Sequence, residues 1–124
     1  MTPHEHLHRF AREHWPQLST RDRTTLVDTV MDRRPGVYPS AQGWARRVGV
    51  HPSTLHYRVG GSVLEVVSRV RLELVRYWML RGKGVREATA LAGYPDPSGA
   101  YQVARRIYGV TLAELAGIRW EEAA

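Results

Sequence analysis

The sequence predicts an all-α protein in which two similar helix pairs are joined by a long central helix and preceded by an extra N-terminal helix. Apolar residues recur three and four positions apart in almost every segment, which is the spacing of one helix face. Capping residues followed by proline mark several helix starts, and glycines mark helix ends. No segment shows the clear alternation of apolar and polar residues that is typical of a strand.

The chain has 124 residues and no cysteine. This length suits one domain or two small subdomains that share a helix. The lack of cysteine excludes disulfides, thiolate metal sites and a cysteine nucleophile. The sequence has neither a signal-peptide pattern nor an apolar run approaching about 18 residues, so it predicts a cytoplasmic protein with no membrane association.

Positive charge is concentrated in the later part of the chain, and the formal net charge is +6. Residues 1–39 hold six arginines against five acidic residues, whereas residues 40–124 hold twelve basic residues against seven acidic ones. Two of these seven, Glu121 and Glu122, fall after the last predicted helix. A basic body of this kind favours a polyanionic partner, although a GC-rich genome produces the same excess of arginine over lysine.

The first predicted helix begins at Thr2 and belongs to an N-terminal helical extension, residues 1–20. Its apolar stripe consists of Leu7, Phe10, Ala11 and Trp15. A second helix opens at Ser19 and is expected to end near Arg33 and Arg34, where the helix dipole favours cations.

The stretch from Gly43 to Val59 predicts a helix, a tight turn at Gly49 and a second helix that starts at Pro52. The apolar positions expected to join the two helices are Trp44, Ala45, Val48, Leu55 and Val59. With the helix before it, this stretch forms a predicted first subdomain, residues 21–59. By itself the layout fits a DNA-binding helix-turn-helix and an ordinary helical hairpin about equally well.

A central helix is predicted over residues 62–81, with apolar residues on more than one side, as in a helix packed by neighbours on both sides. A second subdomain follows at residues 82–117, and residues 118–124 form a tail. Gly93 repeats the role of Gly49 in this second subdomain. An apolar residue, a capping residue and a proline follow each of these glycines.

The chain from about residue 24 to residue 117 resembles the DNA-binding domain of AraC-type bacterial transcription regulators, in which a central helix joins two helix-turn-helix units. The resembling pieces are VGVHPSTL at 48–55, Ser62 with Arg71-Leu72-Glu73, GVREATALAGY at 84–94 and YGVTLAEL at 108–115. The last piece matches the usual ending of that domain, an aromatic residue followed by Gly-Val-Ser/Thr-x-x-Glu.

The resemblance implies a transcription regulator that inserts two recognition helices into adjacent major-groove segments of double-stranded DNA, roughly 34 Å apart. Only about the first twenty residues lie outside the resembling part, so the chain is most similar to the small stand-alone members, which bind as monomers. RNA polymerase is a further candidate partner. A weak homodimer through the N-terminal helix is the alternative oligomeric state.

Two features depart from the family pattern. The first recognition helix is about one turn shorter than usual, which leaves its base contacts open. Ala100 and Ala104 stand where the family has bulky core aromatics. Trp78, Tyr101 and the N-terminal helix are the candidates to fill that space.

We expect DNA contacts from the outward positions of both recognition helices and from nearby arginines. These residues are Pro52, Ser53, His56, Tyr57 and Arg58 with Arg46 and Arg47 in the first unit, and Pro97, Ser98, Gly99, Tyr101 and Gln102 with Arg105 and Arg106 in the second. Gln102 can read adenine, and Arg58 can read guanine or hold a phosphate. The alternative for each arginine is a solvated basic face, and the alternative for Tyr57 and Tyr101 is packing.

His4, His6, His8 and His14 cluster near the N-terminus. The spacing of His4 and His8 suits metal chelation, but no second pair accompanies them, so a solvated polar face is the expected reading. No phosphate-binding loop, nucleophile elbow or zinc-protease motif occurs. The sequence therefore predicts neither an enzyme nor a cofactor.

Two other functions fit these patterns. One is a non-specific architectural protein that coats DNA. The other is a helical interaction module without DNA binding, in which exposed Leu7, Phe10 and Trp15 form a dimer or dock a partner. Competition with random DNA separates the architectural protein from a sequence-specific regulator. Retention on DNA at low salt, compared with dimer formation in size-exclusion chromatography, separates the interaction module from both DNA-binding functions.

Overall fold

The computed structural model describes residues 1–117 and confirms the all-α fold, since that range contains eight helices and no strand. The helices are α1 (Pro3–His14), α2 (Thr20–Met31), α3 (Ala41–Val48), α4 (Pro52–Val59), α5 (Val63–Leu80), α6 (Val85–Leu91), α7 (Pro97–Tyr108) and α8 (Leu112–Gly117). The chain divides into two compact units, of which the first is Met1–Arg71 and the second begins at Leu72. The predicted tail with Glu121 and Glu122 lies outside the described residues.

Helix α1 belongs to the core of the first unit. The Thr2 hydroxyl accepts a hydrogen bond from the Glu5 N–H at 3.1 Å and so caps the helix start as predicted. Helix α1 packs on α2, and Leu7, Phe10 and Trp15 are at most 6% exposed. The hypothesis that these side chains are exposed for a dimer or a partner is therefore wrong, because the intramolecular core already buries them.

Helix α2 ends at Met31, before the predicted end near Arg33 and Arg34. Asp32 adopts an extended backbone, and its carboxylate accepts hydrogen bonds from the Arg34 N–H at 3.0 Å and from the Arg34 guanidinium at 2.7 Å. Such local bonds from an aspartate to the backbone compete with the helix ladder. This competition explains why the helix stops before the two arginines.

Helix α3 packs on α4, as the apolar pattern predicted, and it also packs on α2. Trp44 is fully buried, and its indole N–H donates to the Asp22 carbonyl and to the Thr25 hydroxyl, both at 3.1 Å. Ala45 and Leu55 are also buried. One large aromatic side chain thus fixes α3 against α2 by both packing and hydrogen bonds.

The boundary between the two units falls inside α5. Four consecutive residues at that point, Leu72 to Val75, are buried. Consecutive residues of a helix point in all directions around its axis, so this part of α5 is covered on every side. Burial on more than one side agrees with the prediction for the central helix.

Small residues form the buried sides of α6 and α7 in the second unit. Ala88, Thr89, Ala92, Ala100 and Ala104 are fully buried. The buried ring of Tyr94 would lie 3.3 Å from a Cβ atom added at Gly99, so this tyrosine covers the start of α7. Tyr101 is 44% exposed and therefore does not fill this core, and Trp78 makes an edge-to-face contact with Tyr77.

Candidate nucleic-acid interface

Local signals position the start of α4. Gly49 has φ +86°, and the N–H groups of Gly49 and Val50 both donate to the Ala45 carbonyl, at 2.9 and 3.1 Å. This left-handed glycine ends α3 as predicted. His51 then caps α4, because its Nδ1 accepts the Ser53 N–H at 3.1 Å, and Pro52 occupies the first helical position.

The outward face of α4 carries three of the predicted contact residues. Leu55 and Val59 are buried, whereas Ser53, His56 and Tyr57 are exposed. Tyr57 is 88% exposed, so packing does not explain it. The Ser53 hydroxyl lies 2.8 Å from His51 Nδ1 and therefore already takes part in the helix cap.

Arg58 is paired with a residue of α2. Its guanidinium donates to the Asp22 carboxylate at 3.0 Å, and the Asp22 side chain is only 4% exposed. Gln17 Nε2 also donates to the Val59 carbonyl at 3.0 Å, at the end of the same helix. The segment around the start of α2 thus holds the C-terminal end of α4, and Arg58 is engaged there.

Arg46 and Arg47 line a groove that does not include α4. Together with Arg34 and Tyr38 they line a groove beside α2, whereas Tyr57 and Arg58 line a separate groove that includes Arg21. Arg47 donates to the Asp32 carboxylate. Hydrogen bonds from Arg34, with the positive charges of Arg34 and Arg47, hold the pKa of Asp32 well below its usual range.

Helix α7 starts in the same way as α4. Asp96 caps it by accepting the Ser98 N–H at 2.8 Å, and it also accepts the Ser98 hydroxyl. These bonds lower the pKa of Asp96, which keeps a negative charge at the helix start. Pro97 and Gly99 are half-buried, and Gly99 faces the Tyr94 ring rather than the outward face.

The outward face of α7 is larger and more basic than that of α4. Tyr101, Gln102, Arg105 and Arg106 are all exposed, while Ala100 and Ala104 form the buried side. Gly109, with φ +66°, ends the helix after 12 residues, compared with 8 residues for α4. The additional turn supplies both arginines, so the outward face of α7 is the more basic of the two helix faces.

The carboxylates of Asp22 and Asp32 hold arginine side chains in place, and neither residue was among those predicted from the sequence. Asp22 is the third residue of α2, and its N–H donates to the capping Ser19 hydroxyl at 3.0 Å, which is the role its position predicts. Its carboxylate contact with Arg58 joins residues far apart in the chain. No local signal marks such a contact, although a carboxylate among many arginines is a candidate for pairing.

The N-terminal histidines belong to no larger cluster of potential metal ligands within residues 1–117. Among residues 1–117 no group of three or more potential ligands is close enough to hold a metal ion. Burial lowers the pKa of His8 and so favours its neutral form. None of the described helices combines the length and apolar character needed to cross a membrane.

Comparison with protein-family models, with curated proteins and with solved structures finds no match to this chain.

Proposed function

We propose that the chain is a sequence-specific DNA-binding regulator of transcription, similar to the small AraC-type regulators, with α4 and α7 as recognition helices. One observation carries the proposal: both helices start alike and leave equivalent outward positions exposed. The equivalent pairs are Ser53 and Ser98, His56 and Tyr101, and Tyr57 and Gln102. A short helix that is anchored by its apolar face and exposes polar residues near its N-terminus is suited to the major groove.

The two helices contribute differently in this proposal. Gln102 reads adenine, while Arg105 and Arg106 neutralise phosphates. His56 and Tyr57 contact base edges or thymine methyl groups from the shorter α4. Arg58 positions α4 through Asp22 instead of reading a base. Such a regulator acts in the cytoplasm, where RNA polymerase is its functional partner.

Selection of bound duplexes from a random DNA pool tests the proposal. We expect an enriched sequence that the protein prefers over random duplex by at least about a thousandfold. Gln102→Ala is expected to relax the preference at one base pair, by about 1–3 kcal/mol. Exposed Gln42 on α3 offers a matched control, because Gln42→Ala removes the same group outside α7.

Two results would contradict the proposal in different ways. Equal affinity for all duplexes would support the non-specific architectural protein. No retention on duplex DNA at low salt would exclude both DNA-binding functions, since phosphate contacts alone give measurable binding under that condition.

A further inference from the structure

A groove on the first unit has a different character from the outward face of α4. It has a volume of about 250 Å³ and is lined by Thr29, Arg34, Val37, Tyr38, Gly43, Arg46 and Arg47. We call it the arginine groove. It shares no lining residue with the groove that contains Tyr57 and Arg58, and no residue of α4 lines it.

Two exposed apolar side chains, those of Val37 and Tyr38, line the arginine groove beside a tight turn. Val37 is 38% exposed and Tyr38 is 61% exposed, and they are the only two consecutive large apolar residues that are exposed within residues 1–117. The Val37 N–H donates to the Arg34 carbonyl at 3.1 Å, with Gly36 at φ +78° between them. This bond closes a tight turn over residues 34–37, so Arg34 and Val37 lie at the two ends of one turn and both line the groove.

Three guanidinium groups surround this turn. Asp32 accepts hydrogen bonds from Arg34 and Arg47, so one carboxylate holds two arginines side by side. Arg34 remains 71% exposed and Arg47 31% exposed, and Arg46 is exposed as well. Three positive charges against one negative charge leave the groove with an excess of two, and each exposed guanidinium keeps donors for an incoming acid.

We propose that the arginine groove binds an acidic segment of a partner protein, with carboxylates on the arginines and one apolar side chain against Val37 and Tyr38. The size of the groove suits a single side chain. Arginine and tyrosine are the residues that most often dominate protein interfaces. A DNA backbone satisfies the charge, but its apolar atoms belong to sugars flanked by phosphates and do not project as a side chain does. The combination of charge and apolar surface therefore favours a peptide.

A labelled peptide tests this assignment without DNA. The probe is a fluorescein-labelled peptide of six glutamates around one central phenylalanine, measured by anisotropy at low salt with the full chain. We expect Arg46→Ala and Tyr38→Ala each to weaken binding by about fivefold to tenfold, as for residues central to an interface. Arg105→Ala and Tyr57→Ala are the matched controls and are expected to leave peptide affinity unchanged. Thermal melting verifies that each variant is folded.

Competition and peptide variants complete the test. Replacement of the glutamates by glutamine, or of the phenylalanine by alanine, is expected to weaken binding, because each removes one half of the recognition. Saturating duplex DNA is expected to leave the peptide bound. Absence of peptide binding, equal loss in the control variants, or displacement by duplex would overturn the proposal. The first two results do not depend on whether the protein binds DNA, so they separate this inference from the proposed function.

Discussion

In the helix pairs α3–α4 and α6–α7, the second helices begin from the same local signals, but the two pairs are fixed in different ways. The end of α4 is held by Asp22 through Arg58 and by Gln17 through the Val59 carbonyl. Helix α7 runs for one more turn and carries Arg105 and Arg106 on its exposed side. Equal helix starts therefore do not give equal surfaces, because contacts from elsewhere decide which side chains remain available to a ligand.

The buried sides of the two pairs also differ. Trp44 and Ala45 form the buried side of α3, and Trp44 also donates a hydrogen bond to α2. At the corresponding positions α6 has Ala88 and Thr89. The Thr89 hydroxyl donates only to carbonyls of its own helix, to Val85 at 2.8 Å and to Arg86 at 3.1 Å. The first pair is therefore anchored by one large residue and the second by close approach of small ones.

The largest expected effect is the loss of the Trp44 anchor. Trp44→Ala removes a fully buried indole and two hydrogen bonds. We expect the free energy of unfolding to fall by about 3–5 kcal/mol, as for other large aromatic truncations. Urea unfolding measures the change.

In the second pair, Thr89→Val keeps the side-chain volume and is expected to lower the free energy of unfolding by less than about 1 kcal/mol. Similar losses for both variants would contradict the contrast between the two cores.

The contact that holds α4 is expected to have the next largest effect. Asp22→Asn removes the charge that pairs with Arg58, and we expect a loss of about 1–2 kcal/mol, since partial exposure of Arg58 lets solvent screen the pair. A double-mutant cycle with Arg58→Met isolates the interaction. The exposed pair Arg9–Glu13 is the control, where Glu13→Gln is expected to cost less than about 0.5 kcal/mol. Additive effects of Asp22→Asn and Arg58→Met would show that the pair does not hold α4.

Salt dependence of DNA binding distinguishes the arginines of the two recognition helices. Arg105→Ala is expected to lower the slope of log affinity against log salt by about 0.9, because one phosphate contact is lost. Arg58→Ala is expected to leave the slope nearly unchanged, since its charge is already paired with Asp22. Arg12→Ala removes one exposed charge on α1, outside both recognition helices, and serves as the control. A reduced slope for Arg58→Ala would place that residue on a phosphate instead.

The smallest expected effect concerns the cap of α7. The pKa of Asp96 is lowered by the Ser98 bonds, so its stabilising contribution is complete above its ordinary value of 3.8 and is lost as the pH falls below it. Asp96→Asn keeps a capping oxygen but does not titrate. We therefore expect the difference in melting temperature between the two proteins to shrink from pH 5 to pH 2. A constant difference would indicate that the Asp96 charge does not contribute to the start of α7.

The helix starts and ends could be predicted from the sequence, because they depend on hydrogen bonds between residues at most a few positions apart. Thr2, Ser40 and Thr111 cap helices as their patterns indicate, and Gly49 and Gly109 end helices with positive φ. The end of α2 was predicted too late, since the Asp32 carboxylate competes with the helix for the Arg34 N–H. The apolar stripe of each helix was also predictable, because its spacing is a property of the helix alone.

The sequence by itself thus determined that this protein is helical, where most helices start, and which side of each helix is apolar. The tertiary structure decided what covers those apolar sides and which charges stay available. It buries Leu7, Phe10 and Trp15 within the chain, and it pairs Arg58 with Asp22. Local patterns cannot determine these outcomes, because an apolar stripe or an arginine has the same appearance in the sequence whether its partner is another segment, another molecule or water.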